Sequence, residues 1–387
     1  VDRLYHGCEL RFVASQIITV LLLLGCSGCE QPTESKWDSP FEVVWSTDDY
    51  TLLGTSQRSS PLAIRGDWVF MSRGTDVELR EQKSGSLVWR KEVAVGTNIQ
   101  SNIFLADDQR VYSTHVSTVQ AYYITDGEVA WVRNFPDDVG TFKSDEIALH
   151  EGLLFVGGYH TLYCLDAKTG EDVWQHDVGD SSAVNDLAVY DDILYASIGG
   201  LSPLGIRSFD MYTGDTIRTY ILNNGIGKPV MAPLFKDNNM YVASSWAKPF
   251  GVESIDLNTG NRNWLDTWEN NEFIADHGLI IDNIFVVSMA WDAIGGWNIN
   301  DGERLWVTFP TQNYDWSRIQ AQDGLIYYAH GYQLHVIEPS SGRIIHSTFG
   351  PDGESIRKFT VTDKYIFVNA SPRNFCLTLF DSSWSDD

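Results

Sequence analysis

Basic residues are scarce in this chain: 27 Lys and Arg stand against 52 Asp and Glu among 387 residues, a formal balance of −25. So acidic a surface repels nucleic acid and anionic lipid head groups, which disfavours both as partners. Cysteine is scarce too, with Cys8, Cys26, Cys29, Cys164 and Cys376 alone. Five widely spaced cysteines do not make a disulfide framework, and Cys26-x-x-Cys29 is followed by Glu30 rather than His, which rules out haem attachment. The sequence has no His-Glu-x-x-His, no glycine-rich phosphate loop and no Gly-x-Ser-x-Gly elbow. His115, His160, His277 and His330 are scattered without zinc spacing, so no metal site is expected. A lone histidine such as His160 reads as a hydrogen-bonded turn residue rather than a ligand. After residue 40 no linker, low-complexity tract or charge block divides the chain, and residues 41–387 read as one domain.

What the chain does have is a repeat. Leu162-Tyr-Cys-Leu-Asp-Ala-Lys-Thr-Gly-Glu-Asp-Val-Trp174 reads as a strand of alternating side chains, a tight turn from Asp166 to Gly170 and a second strand entered through Val173 and Trp174. Gly170 suits a turn position of positive φ, and Asp166 and Thr169 are placed to accept from the turn's amides. The turn glycine recurs as Gly85, Gly127, Gly170, Gly214, Gly260, Gly302 and Gly342, at intervals of 40 to 46 residues. Periods of that size are those of propeller blades. Four residues after the glycines stand Trp89, Trp131, Trp174, Arg218, Trp264, Trp306 and His346, so five of seven copies keep the aromatic.

Upstream of each copy is a turn followed by an apolar run, as in Glu151-Gly152-Leu153-Leu154-Phe155-Val156, which gives four short strands per unit. The same signal returns at Asp363-Lys364-Tyr365-Ile366-Phe367-Val368, followed by one more strand, Phe375 to Phe380. That leaves an eighth unit one strand short. Phe41-Glu42-Val43-Val44-Trp45 looks like an outer strand without its blade, and Trp45 precedes Trp89 by one period. The expected fold is therefore all-β: an eight-bladed propeller of four-stranded antiparallel blades, the last closed by the N-terminal strand, leaving no solitary strand as an open edge.

The pattern of Leu165-Asp-Ala-Lys-Thr-Gly-Glu-Asp-Val-Trp174 resembles the tryptophan-docking repeat of pyrroloquinoline-quinone (PQQ)-type propellers, over about residues 41–384. In that family the tryptophan serves blade-to-blade packing, and enzymes and non-enzymes share the repeat, so the resemblance implies the fold and leaves the activity open. The quinone-dependent alcohol dehydrogenases among its members hold PQQ on a disulfide of adjacent cysteines, with calcium bound by Glu, Asn and Asp. No adjacent cysteine pair occurs here, and the reading is of a non-enzyme without cofactor, PQQ with calcium being the alternative.

The first 40 residues differ in kind. Arg3 and Arg11 precede the run Ile17-Ile18-Thr19-Val20-Leu21-Leu22-Leu23-Leu24, too short to span a bilayer and of the size of a secretory signal core. Leu23-Leu24-Gly25-Cys26 resembles the lipobox of bacterial lipoproteins, which implies cleavage before Cys26 and lipidation of its sulfur. Ser27 resembles the pattern sent onward to the outer membrane. Residues 1–25 are then a signal peptide and 26–40 a lipidated polar tether. With Cys8 removed and Cys26 lipidated, Cys164 and Cys376 fall on third strands of blades three and eight, where buried free thiols are expected.

In such a ring the loops joining second to third strands, and those joining successive blades, share one face; the Thr-Gly hairpins lie on the other. Loops on the first face look tight at Tyr159-His160 and Gly331-Tyr332 but long between positions 199 and 205, 246 and 251, and 291 and 296. Blades five and six also concentrate tryptophans outside the motif: Trp246, Trp268, Trp291, Trp297 and Trp316. Trp246, Phe250, Trp291 and Trp316 are taken as a partner or ligand surface on that face; plugging the mouth of the ring is the alternative. Propeller, lipobox and lack of inserted domains together resemble the BamB-type lipoproteins of outer-membrane β-barrel assembly. That implies a non-catalytic scaffold on the periplasmic side of the outer membrane, with protein partners in the assembly machinery. A small quinoprotein oxidoreductase and a carbohydrate-binding surface propeller are the other readings.

Overall fold

Eight antiparallel sheets make up the domain, and the reason they form a ring lies in one side chain per sheet. In the computed structural model the described residues are 40–47, 63–73, 76–92, 104–115, 117–136, 147–179, 182–200, 205–222, 228–229, 231–245, 249–269, 274–289, 293–310, 318–350, 355–371 and 373–380. They belong to a compact unit, Ser39–Asp387. Blade 3 shows the common plan: Ile147–His150, Leu153–Gly157, Thr161–Asp166 and Asp172–Asp177 pair in sequence order, each hydrogen-bonded to the next. Apolar side chains face both neighbours along the inner three strands, while the fourth strand is half exposed, with the pattern eeieie in blade 3. A strand buried on both faces reads as a continuous apolar run, which is why Leu153-Leu154-Phe155-Val156 shows no alternation.

Each hairpin between third and fourth strands turns on the expected glycine. All seven of these glycines have φ between 68° and 76°. In blade 3, Asp166 Oδ1 accepts from the amides of Lys168 and Thr169, both at 2.8 Å, and Thr169 Oγ1 accepts from Glu171 N at 3.3 Å. The left-handed conformation is half of the glycine's role. The other half is contact: a Cβ on Gly170 would stand 2.6 Å from Trp131 Cδ2, and one on Gly302 would stand 2.6 Å from Trp264 Cδ2. The indole of each blade lies on the turn of the next.

The dock has a polar component at a fixed place. Trp45, Trp89, Trp131, Trp174, Trp264 and Trp306 each donate the indole N–H to the carbonyl three residues before the following blade's turn glycine. The acceptors are Gln82, Ile124, Ala167, Met211, Ile299 and Pro339, at 2.7 to 3.0 Å. A buried indole thereby satisfies its one donor while covering the apolar turn. Arg218 takes the place in the fourth seam and His346 in the seventh, where it meets Phe41 and Phe380 at ring distances of 6.0 and 5.8 Å.

The ring closes as its repeat count requires. Val43–Ser46 pairs antiparallel with Asn374–Thr378 through Val43 to Leu377, Trp45 to Cys376 and Ser46 to Phe375, completing the sheet that contains Ser355–Val361 and Tyr365–Ser371. Trp45, on the first described strand, docks on Gly85 of blade 1. Cys164 and Cys376 are buried free thiols on third strands of blades 3 and 8.

Three loops are shorter than the sequence implied. The fourth blade's second strand runs to Gly200 and its third begins at Gly205; the fifth blade's third strand begins at Phe250, the sixth's at Ala293. The glycines that suggested loops lie within strands and make room for neighbours. A Cβ on Gly205 would meet Tyr220 O at 2.0 Å, and on Gly296 it would meet Trp306 Cε2 at 2.4 Å. Blade 5 departs in another way: its inner edge is split between Lys228–Pro229 and Leu234–Lys236, both paired with Asn239–Ser245.

Candidate functional site: the loop face

The strand order fixes what each face can offer. Turns between first and second strands share the hairpin face with the Thr-Gly turns, and five of those described carry Asp, Glu or Asn at positive φ: Glu151, Asp191 with Asp192, Asp237 with Asn238, Asp282 and Asp323. These short side chains tolerate the left-handed region while hydrogen-bonding locally. Part of the chain's acidity is turn chemistry of this kind. Asp210 and Asp256 accept from the amides of Thr213 and Thr259, and these bonds hold both carboxyls below the ordinary aspartate range.

On the opposite face the described aromatics that stay in water are Tyr159, Phe309, Tyr332 and Phe349. Phe309, 58% exposed, follows directly on the fourth strand of blade 6, and Phe349, 60% exposed, ends that of blade 7; Tyr332, 54% exposed, sits in the tight loop of blade 7. Tyr332 and Phe349 are held together by the backbone, since Gly350 N donates to Tyr332 O at 2.6 Å. His160, in the matching loop of blade 3, has φ 64° and its Nδ1 lies 3.2 Å from Gly179 O, a turn residue as the sequence implied. An exposed ring at the end of an outer strand covers no neighbour in its own blade, which makes this blade 6–7 rim an exposed apolar part of the described loop face, as Tyr159 and Ile221 are in blades 3 and 4.

The residues singled out from sequence divide. Trp246, Trp291 and Trp316 lie outside the described residues, as does Cys26. Phe250 is a correction: it opens the strand Phe250–Asp256, pairs with Trp268 and is 1% exposed, so it belongs to the core between blades 5 and 6 and not to a loop. Two other tryptophans outside the motif are also internal. Trp268 and Trp297 stack with ring centroids 5.8 Å apart at 17°, and the Arg304 guanidinium lies 4.7 Å from one ring and 5.5 Å from the other. Asp266 Oδ2 accepts from Trp297 Nε1 at 2.8 Å and from Arg304 Nη2 at 2.7 Å. The cluster rivets the two blades, its cation over two π faces and its carboxylate closing the network.

Buried Glu78, Glu253, Cys164 and Cys376 are each paired or held neutral by their surroundings. Glu78, fully buried, accepts from Arg80 Nε at 2.8 Å and Arg90 Nε at 2.6 Å, and buried Glu253 accepts from Arg262 Nε at 2.7 Å. Burial pushes the thiols of Cys164 and Cys376 up to about 12, far from the range in which a thiolate forms at neutral pH. One grouping escaped sequence reasoning: His150, Glu151 and Asp192 converge on the hairpin face. Zinc spacing is sought within one segment, and this set is divided between adjacent blades, 42 residues apart.

Comparison with known proteins places the chain. Among solved structures, BamB from Moraxella catarrhalis superposes with a TM-score of 0.68 at 16% identity, over 90% of this chain and 99% of that one. A computationally designed protein, Ika8, gives 0.66 at 16% identity over 84% and 98%, and the Dos1 propeller gives 0.69 at 11% over 88% and 95%. At such identities the likeness is one of fold. No curated protein matches the chain. The model of the family described as outer membrane protein assembly factor BamB matches residues 41–264, from the closing strand through the docking tryptophan of blade 5. With more than half of its length matched, the chain belongs to that family.

Proposed function

We propose that this protein is a non-catalytic, protein-binding scaffold, lipid-anchored through Cys26 on the periplasmic side of the outer membrane and working in the assembly of outer-membrane β-barrel proteins. The family match over residues 41–264 carries the reading. The geometry is in keeping with it. Strand Val43–Ser46 runs antiparallel to Asn374–Thr378 and so begins at the hairpin end of blade 8, opposite the loop face. That face presents Phe309, Tyr332 and Phe349. The partner surface is assigned to this rim, and the partner by family analogy is the periplasmic part of the barrel-forming subunit.

Photo-crosslinking residues placed at Tyr332, Phe349, Trp246 and Trp291 in intact membranes test the proposal. Capture of that subunit from the loop face and not from a control position at Lys168 supports it. Capture from neither face, or tight binding of PQQ with calcium accompanied by dye-linked oxidation, overturns it. The anchor has its own readout, since Cys26→Ser should move the protein from the membrane fraction to the soluble one.

A further inference from the structure

The propeller's own symmetry supplies a comparison that a single site does not. In three blades the first strand ends on a residue whose side chain reaches the first turn of the next blade. At the seam of blades 1 and 2 that residue is Arg65, whose guanidinium donates to Asp108 Oδ1. At the seam of blades 5 and 6 it is Lys236, whose ammonium donates to the carbonyl of Asp282 and, at 3.2 Å, to Asn283 Oδ1. In both places a fixed positive charge spans the seam and meets the acceptors of the neighbouring turn.

At the seam of blades 3 and 4 the same position is His150, with Nε2 3.2 Å from Asp192 Oδ1. The imidazole is not a fixed cation, and a second carboxylate stands beside it, because Glu151 opens the turn that follows. One donor atom from each of His150, Glu151 and Asp192 lies within 4.8 Å of the others. Tyr212, in the Thr-Gly turn of blade 4, donates its hydroxyl to Glu151 Oε2 at 2.8 Å, which steadies that carboxylate and leaves its other oxygen open. Among the ion pairs of the described residues, neither Glu151 nor Asp192 has a Lys or Arg partner.

We infer that the seam of blades 3 and 4 binds a zinc-class divalent cation through His150 Nε2, Glu151 and Asp192, the ion filling the place that Arg65 and Lys236 fill in their seams. The donor set selects the metal. Calcium and magnesium favour oxygen donors alone, whereas an imidazole with two carboxylates suits zinc and its neighbours in the first transition row. The geometry is near to what is required. Bonds of about 2.0–2.1 Å at tetrahedral angles put ligand atoms about 3.3 Å apart, close to the existing His150–Asp192 separation. A rotamer change of the exposed Glu151 brings in the third ligand, and water takes the fourth position. Two carboxylates and a neutral imidazole balance the charge of a divalent ion. Tyr212 acts as a positioning residue through Glu151.

The test is zinc titration of the purified protein, followed by calorimetry and by the thermal midpoint in chelator-free buffer. One saturable equivalent is expected, with the midpoint raised by about 2 °C or more at excess zinc and unmoved by calcium. His150→Gln and Asp192→Asn should each weaken binding at least about tenfold, and Tyr212→Phe by about tenfold with the metal-free midpoint unchanged. His150→Arg is the decisive variant: it rebuilds the Arg65–Asp108 clasp, so it should abolish the zinc response while melting above His150→Gln without metal. All three substituted positions lie at the surface or half-buried, so folding is retained. Absence of saturable binding, or zinc binding that survives His150→Gln and Asp192→Asn as an adventitious ion only, overturns the inference.

Discussion

Arg218 lies against Gly260 of the following blade where six other seams place a tryptophan, and its Nη1 donates to Leu257 O at 3.0 Å, the carbonyl an indole would use. A flat, delocalised cation thus reproduces both halves of the dock, stacking on the turn and satisfying the carbonyl. What it does not reproduce is the apolar area.

The two kinds of dock should therefore differ in stability. Trp264→Ala removes a nearly buried indole and its hydrogen bond to Ile299 O, at a cost of about 3–5 kcal/mol. Arg218→Ala removes a half-exposed side chain and should cost about 1–2 kcal/mol. Arg218→Trp should be neutral or stabilising by about 0.5–2 kcal/mol, since Gly260 already leaves space for an indole. Urea denaturation of the three variants beside the wild type checks the order, and equal losses for the two alanine variants would count against the docking account.

Ring closure depends on one short strand. Phe41 is buried between His346 and Phe380 at the seventh seam, and Glu42 O accepts from Thr378 N at 2.9 Å. Phe41→Ala should cost about 3–5 kcal/mol. Deleting residues 41–46 should do more, because it opens the edge of Asn374–Thr378 as well. Hydrogen exchange at residues 374–378 reads the effect: these amides should lose protection in the deletion variant, with concentration-dependent aggregation on warming.

The repeat was legible because each part answers to a local rule. A positive φ needs glycine, a tight turn needs Asp and Thr, and the indole needs the carbonyl that the same turn presents, so Gly170, Asp166 and Trp131 appear in register with their equivalents. Phe250 and the stretch ending at Gly296 were misread as loop because glycine has two uses. Punctuation of a loop and admission of a neighbour's ring inside a strand look alike until the neighbour is known, and here the neighbours are Trp297 and Trp306. The Trp268–Trp297–Arg304–Asp266 rivet and the His150–Glu151–Asp192 grouping were invisible for one reason: their members are brought together by the period of the ring and not by spacing within a segment.

The two propeller thiols should be inert in the native state. Cys164 is held up by burial and then by the nearby charge of Asp166, and Cys376 by burial alone. With both at about 12, the thiolate fraction at pH 8 is vanishingly small and access is blocked. Labelling with a maleimide at pH 8, read by mass spectrometry on the peptides carrying Cys164 and Cys376, should show no modification over an hour and complete modification in guanidinium. Rapid native labelling of either would mean that its blade opens.

The turn aspartates set an acid limit whose sign follows from their hydrogen bonds. Asp256 accepts from Thr259 N at 2.7 Å, and Thr259 Oγ1 donates to the same oxygen at 3.0 Å; both bonds favour the charged carboxylate, and its pKa is lowered. Asp210 is lowered by the same means through Thr213 and Tyr212, and Glu338 through Ser341. A group whose folded pKa lies below its unfolded value contributes stability that is complete above the unfolded value, about pH 4 for these carboxyls, and is lost as pH falls through the folded value. Thermal midpoints of the wild type should therefore hold between pH 7 and 5 so far as these turns are concerned, and fall steeply below pH 4. Asp256→Ala removes the acceptor in every state. It should melt below the wild type at pH 7, and the gap should narrow as the pH drops below 4, where the wild type's own carboxyl is protonated. Asp256→Asn keeps an acceptor oxygen for Thr259 N but no charge, so it should lie between the two at neutral pH. A gap between Asp256→Ala and wild type that stays constant from pH 7 to 2 would show that packing of the turn, and not the charge on Asp256, is what the aspartate supplies.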